Sequence, residues 1–381
     1  MKICIICKGI IENCPPLLRL LSFFCSRGWA ADVFCVGGNG ALPEIVQDIS
    51  MDECVGIVRV KEAGGVFRKV RPTVEVPRLA AALRSANNHD WDIVIAYNPY
   101  ALLAGCLAGL GKKEPLVYYS AELFDSREFW PQRLSERLGR RRISGLIICQ
   151  EDRGQVLQKQ LRLNVPALVI PNACFDYYPT VARDNQNGKR FDLSPVVFMY
   201  QGANHLDRRC LCELVQVFGN INADVLLLLA LIGNSKNTGY LKDLIAQTRY
   251  PNNFKFVDCV PYPQHFATTY QCSVGIMLYH RDISLNYRYC APNKLYEYAM
   301  LGLPVISSDQ PHLRREIEGN GFGLCVNPKN CDAIAVAVTQ MTNPERLKEM
   351  SRRARQWYEK FGRYELAVSR LEDWFNTLIS K

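Results

Sequence analysis

Lys294 and Glu297 stand three residues apart within a mostly apolar stretch, Ala291 to Asp309. At helical spacing they share one face. Charges in an apolar helix are costly unless something pairs them. This face therefore either closes as a Lys294–Glu297 ion pair or looks into a wet cleft. In a cleft the two side chains have different uses. An ionised Glu only accepts hydrogen bonds, which suits a pair of hydroxyl groups. A Lys brings positive charge to an anion. A second polar group runs from Gln201 to Arg209 and holds Gly202, Asn204, Arg208 and Arg209. Gly202 lets a ligand come close to the backbone. Arg208 or Arg209 can clamp phosphate with parallel hydrogen bonds. The alternative is a solvated helix start with surface arginines.

The elements that must hold these residues follow from the apolar runs. Pro292-Asn293 opens a helix, Gly302 ends it and Pro304 follows, after which Val305 to Ser307 reads as an interior strand. Lys2 to Cys7, Ala31 to Val36, Ile93 to Tyr97, Leu116 to Tyr119, Leu146 to Cys149 and Ala167 to Ile170 form one strand series. The second of them ends in Gly37-Gly38-Asn39-Gly40. Val196 to Tyr200, Val225 to Ile232, Phe254 to Val257 and Val274 to Leu278 begin another. Helical stretches separate them, such as Leu17 to Ser26 after Pro15-Pro16 and one near Cys210 to Phe218. Strands alternating with helices imply parallel, doubly wound sheets. The polar stretch Cys174 to Leu193 reads as an interdomain linker. Tyr364, Val368, Leu371, Phe375 and Leu378 are spaced as one face of a last helix.

Composition narrows the class. The chain has 381 residues, room for two domains at ~100–200 residues each. No run approaches the ~18 apolar residues of a membrane span. Met1 to Ile11 is expected to be a strand and not a signal peptide, because Lys8 interrupts its apolar run. A cytoplasmic protein is expected. The net charge of +9 is spread over both halves, which suits anionic ligands or an anionic membrane surface and makes no case for nucleic acid. The 16 cysteines sit among apolar neighbours, as in a reducing compartment; Cys4 and Cys7 lack a second pair at zinc spacing.

From Pro292 to Tyr298 the stretch resembles the donor-binding helix of the GT-B nucleotide-sugar glycosyltransferases, in particular the large retaining family 4, whose helix reads Pro-x-Lys-x-x-Glu-Tyr. The resemblance implies an α/β chain of two Rossmann-like doubly wound domains facing across a cleft. Residues 1–175 would form the acceptor domain and 190–361 the donor domain, with 362–381 returning to the first. It implies that Glu297 accepts hydrogen bonds from ribose hydroxyls. Lys294 and Arg208 or Arg209 would meet the donor diphosphate. Gly202, Asn204, Pro292, Asn293 and Leu295 would lie on the donor side. Val257 to Tyr262 resembles the segment flanking the nucleobase, which puts Val260 there. Tyr118 to Phe124 resembles a segment in which a His precedes a Glu; Glu122 is kept and Ala121 stands for the His. Tyr289 stands where an E-x7-E pattern has its first carboxylate. Val169 to Asn172 resembles a strand-Pro-Asn junction, at which Asn172 lines the cleft or caps a turn. Gly9, after Lys8, admits acceptor or phosphate, or is a plain strand exit.

The implied activity is transfer of a sugar from a nucleoside diphosphate donor to a hydroxyl acceptor. That acceptor would be a glycan or lipid-linked, in polysaccharide or glycolipid biosynthesis, with retention, and with no metal or other cofactor. Two other readings stay open: a nucleotide-sugar epimerase on the same scaffold, and a non-catalytic nucleotide-sugar-binding subunit. Asp90-Trp91-Asp92 is read as a turn, because it precedes a strand where a metal-binding DxD follows one. Two basic clusters belong to the first half: Arg133, Arg137, Arg140, Arg141 and Arg142, and Lys61 to Arg71 with Phe67 inside it. Each suits either a peripheral contact with the inner face of a membrane or a solvated surface.

Overall fold

Every strand read above from an apolar run is present in the computed structural model, which describes residues 1–38, 40, 42, 54–64, 71–86, 90–125, 129–184, 191 and 194–380. The strands form two sheets in two compact units. One unit is Met1–Pro171 with Ala367–Lys381, the other Asn172–Leu366. Asn39 and most of the second basic stretch, Phe67 included, lie outside the described residues.

The first unit holds β1 (Lys2–Cys7), β2 (Ala30–Val36), β3 (Val55–Val60), β4 (Ile93–Tyr97), β5 (Leu116–Ser120), β6 (Ile143–Ile148) and β7 (Ala167–Val169). They lie in the order β3-β2-β1-β4-β5-β6-β7, all parallel. β1 is buried along all but its first residue, as its unbroken apolar run requires of a strand covered on both faces. The second unit holds β8 (Val196–Ala203), β9 (Val225–Ile232), β10 (Phe254–Phe256), β11 (Val274–Met277), β12 (Val305–Ser308) and β13 (Gly323–Val326). Their order is β10-β9-β8-β11-β12-β13, again all parallel.

Two strands were not foreseen, β3 and β13. Both are edge strands. β3 mixes Gly56 and Arg59 among its valines and is only partly buried, and β13 is four residues long. Short, half-covered edges carry little periodicity to read.

Two further expectations change. The stretch from Cys174 is packed structure as far as Asp184, not a free linker. Cys174 is buried, and a helix covers Tyr178–Asp184. Arg355 donates to Asp176 (Nη1···Oδ1 2.8 Å) and lies 4.6 Å over the Tyr178 ring. The polar residues there answer partners on the helix Pro344–Trp357 instead of water. The tail keeps its buried face but breaks into two helices, Tyr364–Ala367 and Leu371–Ile379. Tyr364 packs on Phe175 in the second unit, at 5.1 Å between ring centroids. Phe375 packs on Phe24 and Trp29 in the first, at 6.3 and 6.2 Å. One helical face is thus divided between two cores.

Candidate active site

In the second sheet the strand order reverses between β8 and β11. Ligands of doubly wound sheets bind outside the carboxyl ends of the strands at such a point. β8 ends there in Gln201, Gly202 and Ala203. The helix Asn293–Met300 reaches the same place. Its Tyr298 lies against Gly275 of β11, where a Cβ would come within 2.4 Å of the ring. The Tyr298 hydroxyl donates to the Met199 carbonyl of β8 at 3.3 Å. Gly302, at φ +62, closes the helix in a conformation that glycine takes without strain. These contacts fix the face that carries Lys294 and Glu297.

Lys294 and Glu297 do not pair: no ion pair within 4.0 Å joins them. Lys294 rests on aromatic rings, with Nζ 5.0 Å from the centroid of Tyr200 and 5.6 Å from that of Tyr279. Gly202 is required beneath it. At φ +132 the backbone is in a region glycine favours, and a Cβ would stand 3.0 Å from the Lys294 amine. Arg209 lies over the same Tyr279 at 4.4 Å and over Tyr287 at 5.8 Å. Its Nε is buried with no hydrogen-bond partner among the described residues. Two cations thus share one ring, and among the described residues no carboxylate comes within 4.0 Å of either. Burial pushes Lys294 down to about 7, the Arg209 charge adds to the shift, and Glu297 opposes it without cancelling it. An anion entering here would gain two charge-assisted partners and restore the lysine's charge.

Glu297 is 9% exposed and held from one side. Gln201 Nε2 donates to its Oε2 at 3.1 Å, and Thr269 Oγ1 donates to Gln201 Oε1 at 2.8 Å. The threonine orients the amide, and the amide orients the carboxylate. His265 Nε2 lies 3.8 Å from the same oxygen. Sequence reasoning named Gln201 only as the start of a polar run, with no role, and missed Thr269. The signal for Gln201 was a polar residue closing an apolar strand just ahead of Gly202. Thr269 had none.

Residues 209–357 match the model of the family described as glycosyl transferases group 1. The chain carries a glycosyltransferase group 1 domain. The match begins at Arg209 and includes Lys294 and Glu297. The solved structures agree in fold. Sucrose-phosphate synthase from Thermosynechococcus elongatus has a TM-score of 0.77 at 14% identity, over 100% of both chains. The HepE protein of Anabaena in complex with UDP has 0.73 at 15%, over 99% of this chain and 100% of that one. An α,α-trehalose-phosphate synthase (UDP-forming) from Burkholderia vietnamiensis has 0.72 at 10%, over 99% of each. No curated protein matches in sequence. The fold is GT-B.

Within the second unit the remaining expected residues divide. Arg208 is exposed, and its main-chain carbonyl accepts from the His280 amide at 3.2 Å, so Arg209 is the arginine that turns inward. Cys210 has φ +51, the left-handed conformation that glycine takes most readily. Asn204 is spent on the loop after β9. It donates to the Asn234 carbonyl at 2.6 Å and to Thr238 at 2.9 Å, and accepts from the Asn234 amide at 3.0 Å. Pro292 and Leu295 are buried and build the helix, with Asn293 as its first residue. Asn172 donates to the Ala291 carbonyl at 2.6 Å and fastens the approach to that helix. Val260 is exposed.

The first unit holds the others. Gly9 follows β1 with only Cys7 Sγ near a built Cβ, at 3.9 Å. Lys8 is paired with Glu75 at 3.0 Å. Glu122 is exposed, and Ala121 offers main-chain groups only, its amide donating to Asn98 Oδ1 at 3.2 Å. Asp92 Oδ2 accepts from the Lys2 amide at 2.7 Å in the turn before β4. Among the described residues no group of three metal-ligating side chains occurs, and no helix is long and apolar enough to cross a membrane.

Proposed function

We propose that the protein transfers a hexosyl group from a nucleoside diphosphate sugar to a hydroxyl acceptor, with retention of configuration. The acceptor would be a glycan or a lipid-linked one, in polysaccharide or glycolipid synthesis at the cytoplasmic face of a membrane. The observation that carries this reading is the pair of cations on Tyr279, Lys294 and Arg209, beside Glu297 at the strand-order reversal and with no carboxylate within 4.0 Å among the described residues. As the sugar leaves, its anomeric carbon gains oxocarbenium character and the diphosphate gains charge. Groups that meet this charge more strongly in the transition state than in the ground state speed the step. Lys294 and Arg209 have that role. Glu297, with one oxygen committed to Gln201, offers the other to ribose hydroxyls. The two side-chain charges stand where a divalent cation would otherwise be needed, so transfer is metal-independent. The UDP of the Anabaena structure supports UDP-glucose as the first donor to test.

The test is a melting curve with a panel of nucleoside diphosphate sugars, with and without EDTA. A donor at 100 times its dissociation constant adds about 2.7 kcal/mol of stability. Nucleoside diphosphate release is then followed with an acceptor extract. If no sugar nucleotide raises the melting temperature, the reading fails. Tight binding without release under any acceptor would leave the non-catalytic subunit, which Ala121 and the exposed Glu122 support.

A further inference from the structure

The helix Trp130–Gly139 is inside out. Its buried residues are Ser135, Glu136 and Gly139, and its exposed ones include Trp130 at 63%, Leu134 at 44% and Leu138 at 61%. The inward face has a specific fit. Glu136 Oε1 accepts from the Tyr118 hydroxyl at 2.7 Å. Gly139 leaves room for Leu102, whose Cγ would stand 2.5 Å from a Cβ there. The polar side is therefore locked into the first unit and the apolar side is turned out. At 100° per residue Trp130, Leu134, Arg137 and Leu138 cover a sector of about 100°. Arg141 follows one turn on, also exposed. The helix's only acid, Glu136, is buried, so nothing acidic on the helix opposes the arginines.

We infer that this face docks on an anionic lipid surface. A tryptophan with two leucines enters the boundary between headgroups and acyl chains, where indole is favoured. The arginines supply attraction to anionic headgroups. A stripe of three apolar residues is a weak anchor by itself, and the charge provides the second signal that stable membrane binding requires. Arg133 and Arg140 are turned to the carbonyls of Asp125 and Leu161, at 3.2 and 3.3 Å, and hold the helix in place. Arg137 and Arg141 remain for the lipid. The inference deepens the membrane-borne acceptor in the proposed function. It stands on a different unit from the cations at Tyr279, and the two can fail separately.

The experiment is flotation of the full chain with vesicles of pure phosphatidylcholine and of phosphatidylcholine with one third phosphatidylglycerol. The expected result is binding to the second only, weakening between 50 and 500 mM salt. Trp130→Ser with Leu138→Ser should lower the partition at least tenfold. Arg137→Gln and Arg141→Gln should each lower it about fivefold. All these sites are exposed, so melting temperature and UDP affinity should not move. Equal flotation of wild type and variants, or none of wild type, overturns the inference while UDP affinity reads the donor site separately. So does a dimer that Trp130→Ser dissociates in a chain that ignores vesicles, because a second copy would then be the occupant.

Discussion

Both units place positive side chains near the carboxyl ends of strands, and the two treat that charge in opposite ways. In the first unit, Lys8 after β1 is closed by Glu75 at 3.0 Å, and Glu75 also accepts from the Ala63 amide at 3.0 Å. Arg59 on β3 is closed by Glu12 at 2.8 Å. In the second unit, Lys294 and Arg209 meet aromatic rings, and no carboxylate lies within 4.0 Å of either among the described residues. A cation neutralised from within stabilises its own fold. A cation left on a ring costs the empty protein solvation and is repaid by an incoming anion. The proposed diphosphate site therefore rests less on topology than on two cations that no carboxylate approaches within 4.0 Å among the described residues.

Lys294→Met should break this contrast most visibly. Loss of a preorganised group facing the leaving charge should slow transfer by roughly 10²–10³. The donor-free protein should melt at the same or a higher temperature, since an unpaired desolvated charge has gone. A clear fall in melting temperature would mean that Lys294 is a structural residue.

Lys8→Met is the counterpart. It leaves the buried Glu75 carboxylate without its cation, at a cost of about 3 kcal/mol in unfolding free energy. Donor affinity, measured by calorimetry, should be unchanged. An intact melting temperature would show that the two ends are alike after all.

Glu297→Ala sharpens the comparison at the carboxylate. Lost charged hydrogen bonds cost about 1.5–3 kcal/mol each, so affinity for the nucleoside diphosphate should fall at least tenfold. Thr269→Val should produce a smaller loss in the same direction, by releasing the amide of Gln201. Equal affinity in both variants would return Glu297 to the fold.

The smallest effect is in pH. Lys294 titrates at about 7 in the empty protein and near its ordinary value of 10.5 when unfolded. Between those values the unfolded chain binds more protons, so donor-free stability rises with pH across that window. Diphosphate favours the charged amine, so donor affinity falls as pH rises above about 7, by less than tenfold per unit. Lys294→Met should remove both slopes. Identical slopes in wild type and variant would locate the titration elsewhere.

What could be read along the chain was whatever depends on near neighbours. Apolar runs such as the one within Lys2–Cys7 named the strands, because a strand covered on both faces has no polar position to offer. The three-residue step from Lys294 to Glu297 put both on one helix face. β3 and β13 escaped because Gly56, Arg59 and Gly323 interrupt or shorten their apolar runs. Only the tertiary structure decided the partners. Glu297 is held by Gln201, 96 residues away, and Gln201 by Thr269, 68 away, while Lys294 turns to Tyr200 and Tyr279 instead of its helical neighbour. It also turned Arg209 inward and left Arg208 in solvent. Periodicity says which way a side chain points from its own element. What it meets there depends on how separate strands and helices pack, and no local spacing encodes that.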